Sequence, residues 1–416
     1  MNDDLDRPIP SEITELFGSD AIAEMLRKLD TPYVALNPGS SFRGLHDSLV
    51  NYLGNRDPQM LLCLHEEHAV AIAHGWAKVT GTPLAVILHA NVGVMHASMA
   101  VYNAWCDRVP MLIFGATGPV DAAKRRPWID WIHTSRDQAA IIRPYVKWDD
   151  QPASLEASLS SMLRSSIITQ TAPNAPTYVC FDVSVQEEPI DKMPEFPAPE
   201  RHAAPRMVQF SESDARSVLD LLETSEKPVF LMGRVSRDQA DWDRRVALAE
   251  HFGARVVTDI KTAAAFPTCH PLHFGAPGYF VSQDAAQRIG QADLVVSFDW
   301  VDLGGTLQQA DVDLERTKVV NISLDSLLTN GWSLDHQSLS PSDLTMLADP
   351  DEAIRAICLA AGLSDMAVGK MAIEAPARPD HHPDAQISID SLSDVLADAL
   401  SEKTASFLRL TLSWNG

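Results

Sequence analysis

The sequence predicts an α/β protein built from two doubly wound parallel-sheet domains. Three observations carry this. Short apolar runs with no polar face alternate with helical segments, the pattern of parallel strands covered on both sides. The first runs end in short turns or polar residues that lead into helices, where parallel sheets hold their ligands. A Pro- and Glu-rich stretch, Gln186 to Pro205, separates two such series. The expected organisation is a first domain over residues 1–188, a linker over 189–205, a central domain over 206–362 and a tail over 363–416.

The elements follow in order. Residues 1–18 read as a polar arm. Ser19-Asp20 caps a helix from Ala21 to Leu29, with Ile22, Leu26 and Leu29 on one face, and Thr31-Pro32 breaks it. Tyr33–Leu36 is a strand, Asn37-Pro38-Gly39-Ser40 a turn, and helix follows to Leu53. Met60–Leu64 is a second strand, leading into a helix from Glu66. Leu84–His89 is a third, before a small-residue helix from about Val94 to Trp105. Met111–Gly115 is a fourth, and Thr177–Val183 closes the unit. Beyond the linker, helices are expected at Asp214–Leu222 and Trp242–Phe252. Strands are expected at Pro228–Met232, Val256-Val257, Leu294–Phe298 and Lys318–Ile322. Pro376 to Pro383 is rich in Pro, Asp and His, and one more helix lies near Ser391–Leu400.

Composition narrows the function classes. With 33 Lys+Arg against 56 Asp+Glu, the net charge of −23 disfavours nucleic acid and anionic membranes as partners. The acidic Met1-Asn2-Asp3-Asp4 is not a signal peptide, and no apolar run is long enough to span a membrane. Cys63, Cys106, Cys180, Cys269 and Cys358 show no paired metal spacing and read as buried thiols in a reducing cytoplasm.

Three motifs fall at strand ends or helix starts: Asn37-Pro38-Gly39-Ser40, His65-Glu66, and Leu88-His89-Ala90-Asn91-Val92-Gly93. In a doubly wound sheet they converge, bringing a hydroxyl, a carboxylate and an imidazole to one crevice suited to proton transfer. Each has a plainer reading. Glu66 is also a charge favoured at a helix N-terminus, Ser40 a helix cap, and His89 a satisfied core histidine. His65, His68, His74 and His96 come with no accompanying ligand set, so no metal is expected. The tryptophans and arginines of the loop Lys124–Thr134 could shape an aromatic or anionic pocket; the plainer reading, a packed surface loop with a basic rim, is preferred for Arg125 and Arg126.

Glu66 is followed nine residues later by Gly75, then Trp76 and Ala77. This E-x8-G-aromatic-A pattern resembles that of the thiamine-diphosphate (ThDP)-dependent decarboxylase and acetolactate-synthase superfamily. Asn37-Pro38-Gly39-Ser40, and Leu88-His89 with Asn103-Ala104-Trp105, resemble benzoylformate decarboxylase; His65-Glu66 is similar to acetolactate synthase. The resemblance implies a pyrimidine-binding domain followed by a central domain. It implies that Glu66 hydrogen-bonds N1′ of the aminopyrimidine and so activates a cofactor that acts as an electron sink for C–C cleavage. By the same resemblance Ser40 binds the substrate carboxylate or carbonyl, His89 relays protons, and Pro38 and Gly93 line the pyrimidine pocket. His96 stands where the superfamily usually has Asn, Thr117 where a Gln usually follows the fourth strand, and the 124–134 loop lacks the acetolactate-synthase Phe-Gln pair.

The superfamily's G-D-G…N signature, which holds Mg²⁺ and the diphosphate, does not occur in the chain. Two explanations fit, a naturally split enzyme or a truncated chain; the split is preferred, and the expectation is the pyrimidine-domain subunit of a split ThDP-dependent lyase or 2-keto acid decarboxylase. A second subunit would carry the Mg²⁺ and diphosphate site in an α2β2 assembly. The alternatives are an acetolactate-synthase-like carboligase and a non-catalytic subunit. The central domain, with no complete G-x-G-x-x-G after a strand, is expected to be structural.

Overall fold

A computed structural model describes residues 14–259, 262, 264–275, 281–325, 340–363 and 388–400. The Pro376–Pro383 segment and the Leu412–Gly416 end lie outside the described residues, as does most of the N-terminal arm. The first domain runs β1 (Leu16–Phe17), α1 (Gly18–Lys28), β2 (Tyr33–Leu36), α2 (Arg43–Asp47), β3 (Gln59–Leu62), α3 (Glu66–Thr80), β4 (Ala85–His89), α4 (Ala90–Cys106), β5 (Met111–Thr117), α5 (Asp130–His133), β6 (Trp148–Asp150), α6 (Leu155–Gln170), β7 (Pro176–Asp182), α7 (Val183–Glu187) and β8 (Pro189–Ile190). The second runs α8 (Glu212–Thr224), β9 (Pro228–Met232), α9 (Gln239–Phe252), β10 (Arg255–Thr258), α10 (Gln283–Gly290), β11 (Leu294–Phe298), α11 (Leu303–Gln309), β12 (Lys318–Ser323), β13 (Leu344–Leu347) and α12 (Pro350–Ala360), with α13 (Ile389–Ala399) beyond it.

The first sheet has six parallel strands in the order β3-β2-β4-β5-β7-β6, and the second has five in the order β10-β9-β11-β12-β13. Strand side chains alternate between two buried faces. Ala85 and Ile87 of β4 pack with α1 and α6, whereas Val86 and Leu88 pack with α3 and α4. In the second sheet Phe230, Met232, Val296 and Phe298 meet α8, α9 and α12; Val229, Leu231 and Val295 face α10 and α11. Burial on both faces is why these strands read as unbroken apolar runs.

The strand order reverses at β2/β4 in the first sheet and at β9/β11 in the second, so each has a switch-point crevice at its carboxyl edge. Left-handed glycines close two helices, Gly81 at φ 72° after α3 and Gly253 at φ 60° after α9.

Several boundaries differ from the sequence reading. α4 starts at Ala90, directly after β4, and not near Val94. Two residues read as polar arm form β1, which pairs antiparallel with β8 at the start of the linker. Met193 and Phe196 of that linker pack on the first core, with the Lys28 ammonium 5.1 Å from the Phe196 ring centroid. Cys63, Cys180 and Cys358 are buried thiols, whereas Cys269 is exposed. Among the described residues no helix is long and apolar enough to cross a membrane.

Between the domains, Arg108 reaches from the end of α4 to the second switch point. Its guanidinium lies 2.6 Å from Asp299 and 3.0 Å from Asp325. Arg234 pairs with Asp299 at 3.2 Å and donates to the Cys106 carbonyl at 3.0 Å. A cavity of about 660 Å³, lined in part by Lys78, Asp107, Arg108 and Arg234, lies beside this network.

Candidate active site

The first switch point gathers the three motifs. β2 delivers the Asn37–Ser40 turn, β3 leads into Glu66 at the first turn of α3, and β4 ends at His89. Glu66 is only 5% exposed. His65 caps α3, its Nδ1 accepting the Glu67 N–H at 3.1 Å. Asn37 hydrogen-bonds the Glu66 carboxylate, and His96 Nδ1 lies 3.2 Å from its Oε2. Burial alone raises a carboxyl pKa. Here the residue's own backbone N–H, Asn37 and His96 outweigh it and hold Glu66 below its usual value. A buried, ionised carboxylate at a helix N-terminus is the result.

Gly93, on the first turns of α4, faces this carboxylate. A Cβ there would stand 3.4 Å from Glu66 Cγ and Oε1 and 3.4 Å from His89 Cβ. A glycine here keeps a side chain out of the place between Glu66 Oε1 and His89. Gly75 has no such role within the chain: a Cβ there would meet nothing within 4 Å.

His89 is held by a residue the sequence reading passed over. Ser41 Oγ lies 2.9 Å from His89 Nδ1 and accepts the Ala90 N–H at 3.1 Å. Ser40, the expected hydroxyl, is exposed beside it, as is Pro38. Gly39 is required by space, since a Cβ would fall 2.3 Å from His89 Cβ.

His133 also joins the site, its ring centroid 4.7 Å from that of His89. Burial, then the neighbouring His133, push His89 down to about 4, against a weaker upward pull from Glu66. The 124–134 loop is thus more than a packed surface loop. Asn91 binds the Ile132 carbonyl at 3.3 Å, Arg126 pairs with Asp130 at 3.2 Å, and α5 sets His133 against His89. Trp128 and Trp131 are 73% and 75% exposed, so the expected packing of the loop does not extend to them. The basic rim is tied down: Arg125 donates to the Pro119 and Val120 carbonyls at 2.8 and 3.0 Å. No local pattern marks His133, because its distance from His89 is set by the loop's path.

Among the described residues one set of three His, Cys, Asp or Glu ligand atoms converges, that of His65, Glu66 and His96, within 4.8 Å. Two imidazoles and one carboxylate do not make the oxygen shell that Mg²⁺ takes. His96 is engaged by Glu66, and its ring stacks on His65 at 5.2 Å. The donors present therefore suit a pyrimidine ring and do not suit a Mg²⁺–diphosphate anchor.

A buried carboxylate opposite an imidazole, at the switch point of a six-stranded parallel sheet with a second parallel-sheet domain behind it, defines the pyrimidine and central domains of a ThDP-dependent enzyme. Comparison with known proteins agrees. Residues 17–141 match the thiamine pyrophosphate enzyme N-terminal TPP-binding domain, and residues 215–357 match its central domain. The chain belongs to the thiamine pyrophosphate enzyme family, alongside acetolactate synthases and benzoylformate decarboxylases. It is 27% identical over 291 residues to the acetolactate synthase large subunit of Corynebacterium glutamicum, covering 67% of this chain and 43% of that protein. It is 26% identical over 214 residues to benzoylformate decarboxylase of Pseudomonas aeruginosa, covering 50% and 38%. The fold superposes on benzoylformate decarboxylase from Polynucleobacter necessarius with a TM-score of 0.72 at 19% identity, over 92% of this chain and 68% of that one. The chain spans about half the length, or less, of these curated relatives.

Proposed function

We propose that this chain supplies the pyrimidine-binding half of a ThDP-dependent lyase that cleaves a carbon–carbon bond beside a carbonyl, with a 2-keto acid as substrate. The observation that carries the reading is the Glu66 carboxylate, buried and held ionised, with Gly93 rather than a side chain beside its Oε1. The ionised Glu66 carboxylate would accept a hydrogen bond from a ring nitrogen of the aminopyrimidine in its protonated form, Gly93 would give the ring room, and His96 and Asn37 orient the carboxylate. When bound, the cofactor supplies the electron sink that makes loss of CO2 feasible. His89, opposite Glu66, hydrogen-bonds the oxygen of the substrate carbonyl or carboxylate, and Ser40 at the rim meets the same substrate end. The Mg²⁺ and diphosphate are held by residues from outside the described part of this chain. Our reading places them on a second subunit of an α2β2 assembly, in the cytoplasm.

The test is Glu66→Gln in the assembly purified from its own cells and supplied with ThDP and Mg²⁺. Turnover of 2-keto acids should fall by about 10²–10⁴-fold, the usual weight of a positioned proton-transfer group. Unchanged turnover would sink the reading. Chromatography of the product separates a released aldehyde from a carboligation product, the mark of the acetolactate-synthase-like alternative.

A further inference from the structure

We propose that Ser41 is a positioning residue that fixes His89 as its Nε2–H tautomer, so that the ring meets a substrate oxygen as a neutral hydrogen-bond donor. This rests on the reading of the crevice as the active site, and it concerns a residue that the motifs do not single out.

One of the groups at His89 Nδ1 can only donate. The Ser41 backbone N–H points at His89 Nδ1, 3.4 Å away. A backbone N–H has no lone pair to offer, so Nδ1 must be bare. The Ser41 hydroxyl agrees. Its oxygen already accepts the Ala90 N–H at 3.1 Å, and its own hydrogen is left to donate to Nδ1 at 2.9 Å. With Nδ1 accepting from both, the one proton of the neutral ring sits on Nε2. Nε2 has no hydrogen-bond partner among the described residues, which leaves its N–H for a ligand. The ligand atom that fits is an acceptor, such as the oxygen of a carbonyl or carboxylate.

Ser41 is itself held. It is 4% exposed, and its carbonyl accepts the Gln186 side-chain N–H at 3.1 Å. Gln186 is fully buried in α7, so the end of the first domain braces the turn after β2. Gly39 lets that turn lie against the ring. The charge state fits as well: burial and His133 keep the imidazole neutral at pH 7. A helix cap alone would need only the bond to Ala90. The two donors aimed at Nδ1 are the feature that capping does not explain.

The test uses the full chain labelled with ¹⁵N-histidine, without cofactor, at pH 7. Long-range ¹H–¹⁵N correlation reads the tautomer of each ring, and His89→Gln identifies the His89 signals. The expected result is a bare Nδ1 and a protonated Nε2. Ser41→Ala keeps the backbone donor and loses the hydroxyl, so the tautomer ratio should move toward Nδ1–H by about fivefold, the weight of one ordinary hydrogen bond. Ser41→Thr should restore it. An Nδ1–H ring in the unaltered chain overturns the proposal, and that measurement does not depend on any variant folding. A ratio untouched by Ser41→Ala overturns it too and leaves Ser41 a cap. Because no turnover is read, these outcomes are separate from the Glu66→Gln result.

Discussion

Gly39→Ala is the sharpest probe of how this site is packed. Gly39 has φ −153°, extended backbone that any residue adopts, so the constraint is space alone. A Cβ would stand 2.3 Å from His89 Cβ, 2.4 Å from Cγ and 2.8 Å from Nδ1. Carbon atoms in good contact lie about 3.5–4.0 Å apart, so turn and strand end must separate by roughly 1 Å. The first two atoms met are the root of the His89 side chain, which moves only with its backbone. Overpacking of this kind costs about 1–3 kcal/mol. With an m value of about 2 kcal/mol/M, a 2 kcal/mol loss lowers the urea midpoint by about 1 M. The separation would also pull the Ser41 hydroxyl from Nδ1, now 2.9 Å away. Gly93→Ala is the matched control. Its Cβ contacts of 3.4 Å are at the edge of ordinary packing, so its cost should be smaller. Urea unfolding of both variants decides the matter. An unchanged midpoint for Gly39→Ala, or a larger loss for Gly93→Ala, would refute the packing argument.

Other expectations follow from the same contacts. Arg108→Met strips a 2.6 Å partner from Asp299, which is 2% exposed, and should cost about 3 kcal/mol. In a double-mutant cycle with Asp299→Asn, a coupling of about 0.5–3 kcal/mol is expected, and strictly additive losses would contradict the network. His89 should titrate near 4 by NMR, and a midpoint near its ordinary 6.5 would show that burial and His133 do not act as described. Its folded-state value is the lower one, so the unfolded chain binds the proton first. Stability should fall as pH drops from about 6.5 to about 4, and His89→Gln should remove that part of the acid sensitivity. Asp349 runs the other way. Burial raises its carboxyl to about 6 while it caps α12 through the Asp351 and Glu352 N–H groups at 2.9 and 3.0 Å. Its contribution should be lost as pH rises from about 3.8 to about 6, and Asp349→Asn should flatten that slope in denaturation curves across the range.

Much of the architecture was legible because local rules dominate it. Apolar runs buried on both faces gave β2, β4, β5, β9, β11 and β12, and the Pro- and Glu-rich stretch marked the division. Glu66 stood out because a charge entering an Ala-rich helix needs a reason. Less legible was whatever depends on distant chain. The start of α4 was placed late because the N–H of Ala90 is capped by Ser41, 49 residues away. Ala90 itself, at φ 38°, takes a backbone shape that its residue type does not advertise. The N-P-G-S motif ends at Ser40, so it does not show that the next residue, Ser41, bonds His89. His133 and Gln186 carry no signal in their own neighbourhoods. They matter only through where the loop and α7 return.

The Arg108 network shows that the same crevice geometry occurs twice here and is used in opposite ways. At β2/β4 the strand ends gather Glu66, Ser41 and His89 around one crevice. At β9/β11 the comparable position is crossed by a cation from the other domain, which ties Asp299 and Asp325 to the end of α4. That helix begins next to His89, carries Gly93 in its first turns and ends at Cys106, two residues before Arg108. One helix therefore joins the candidate crevice to the interdomain clamp. Loosening the clamp should be felt at Glu66, one helix length away, as a change in the angle at which α4 presents Gly93 and His96.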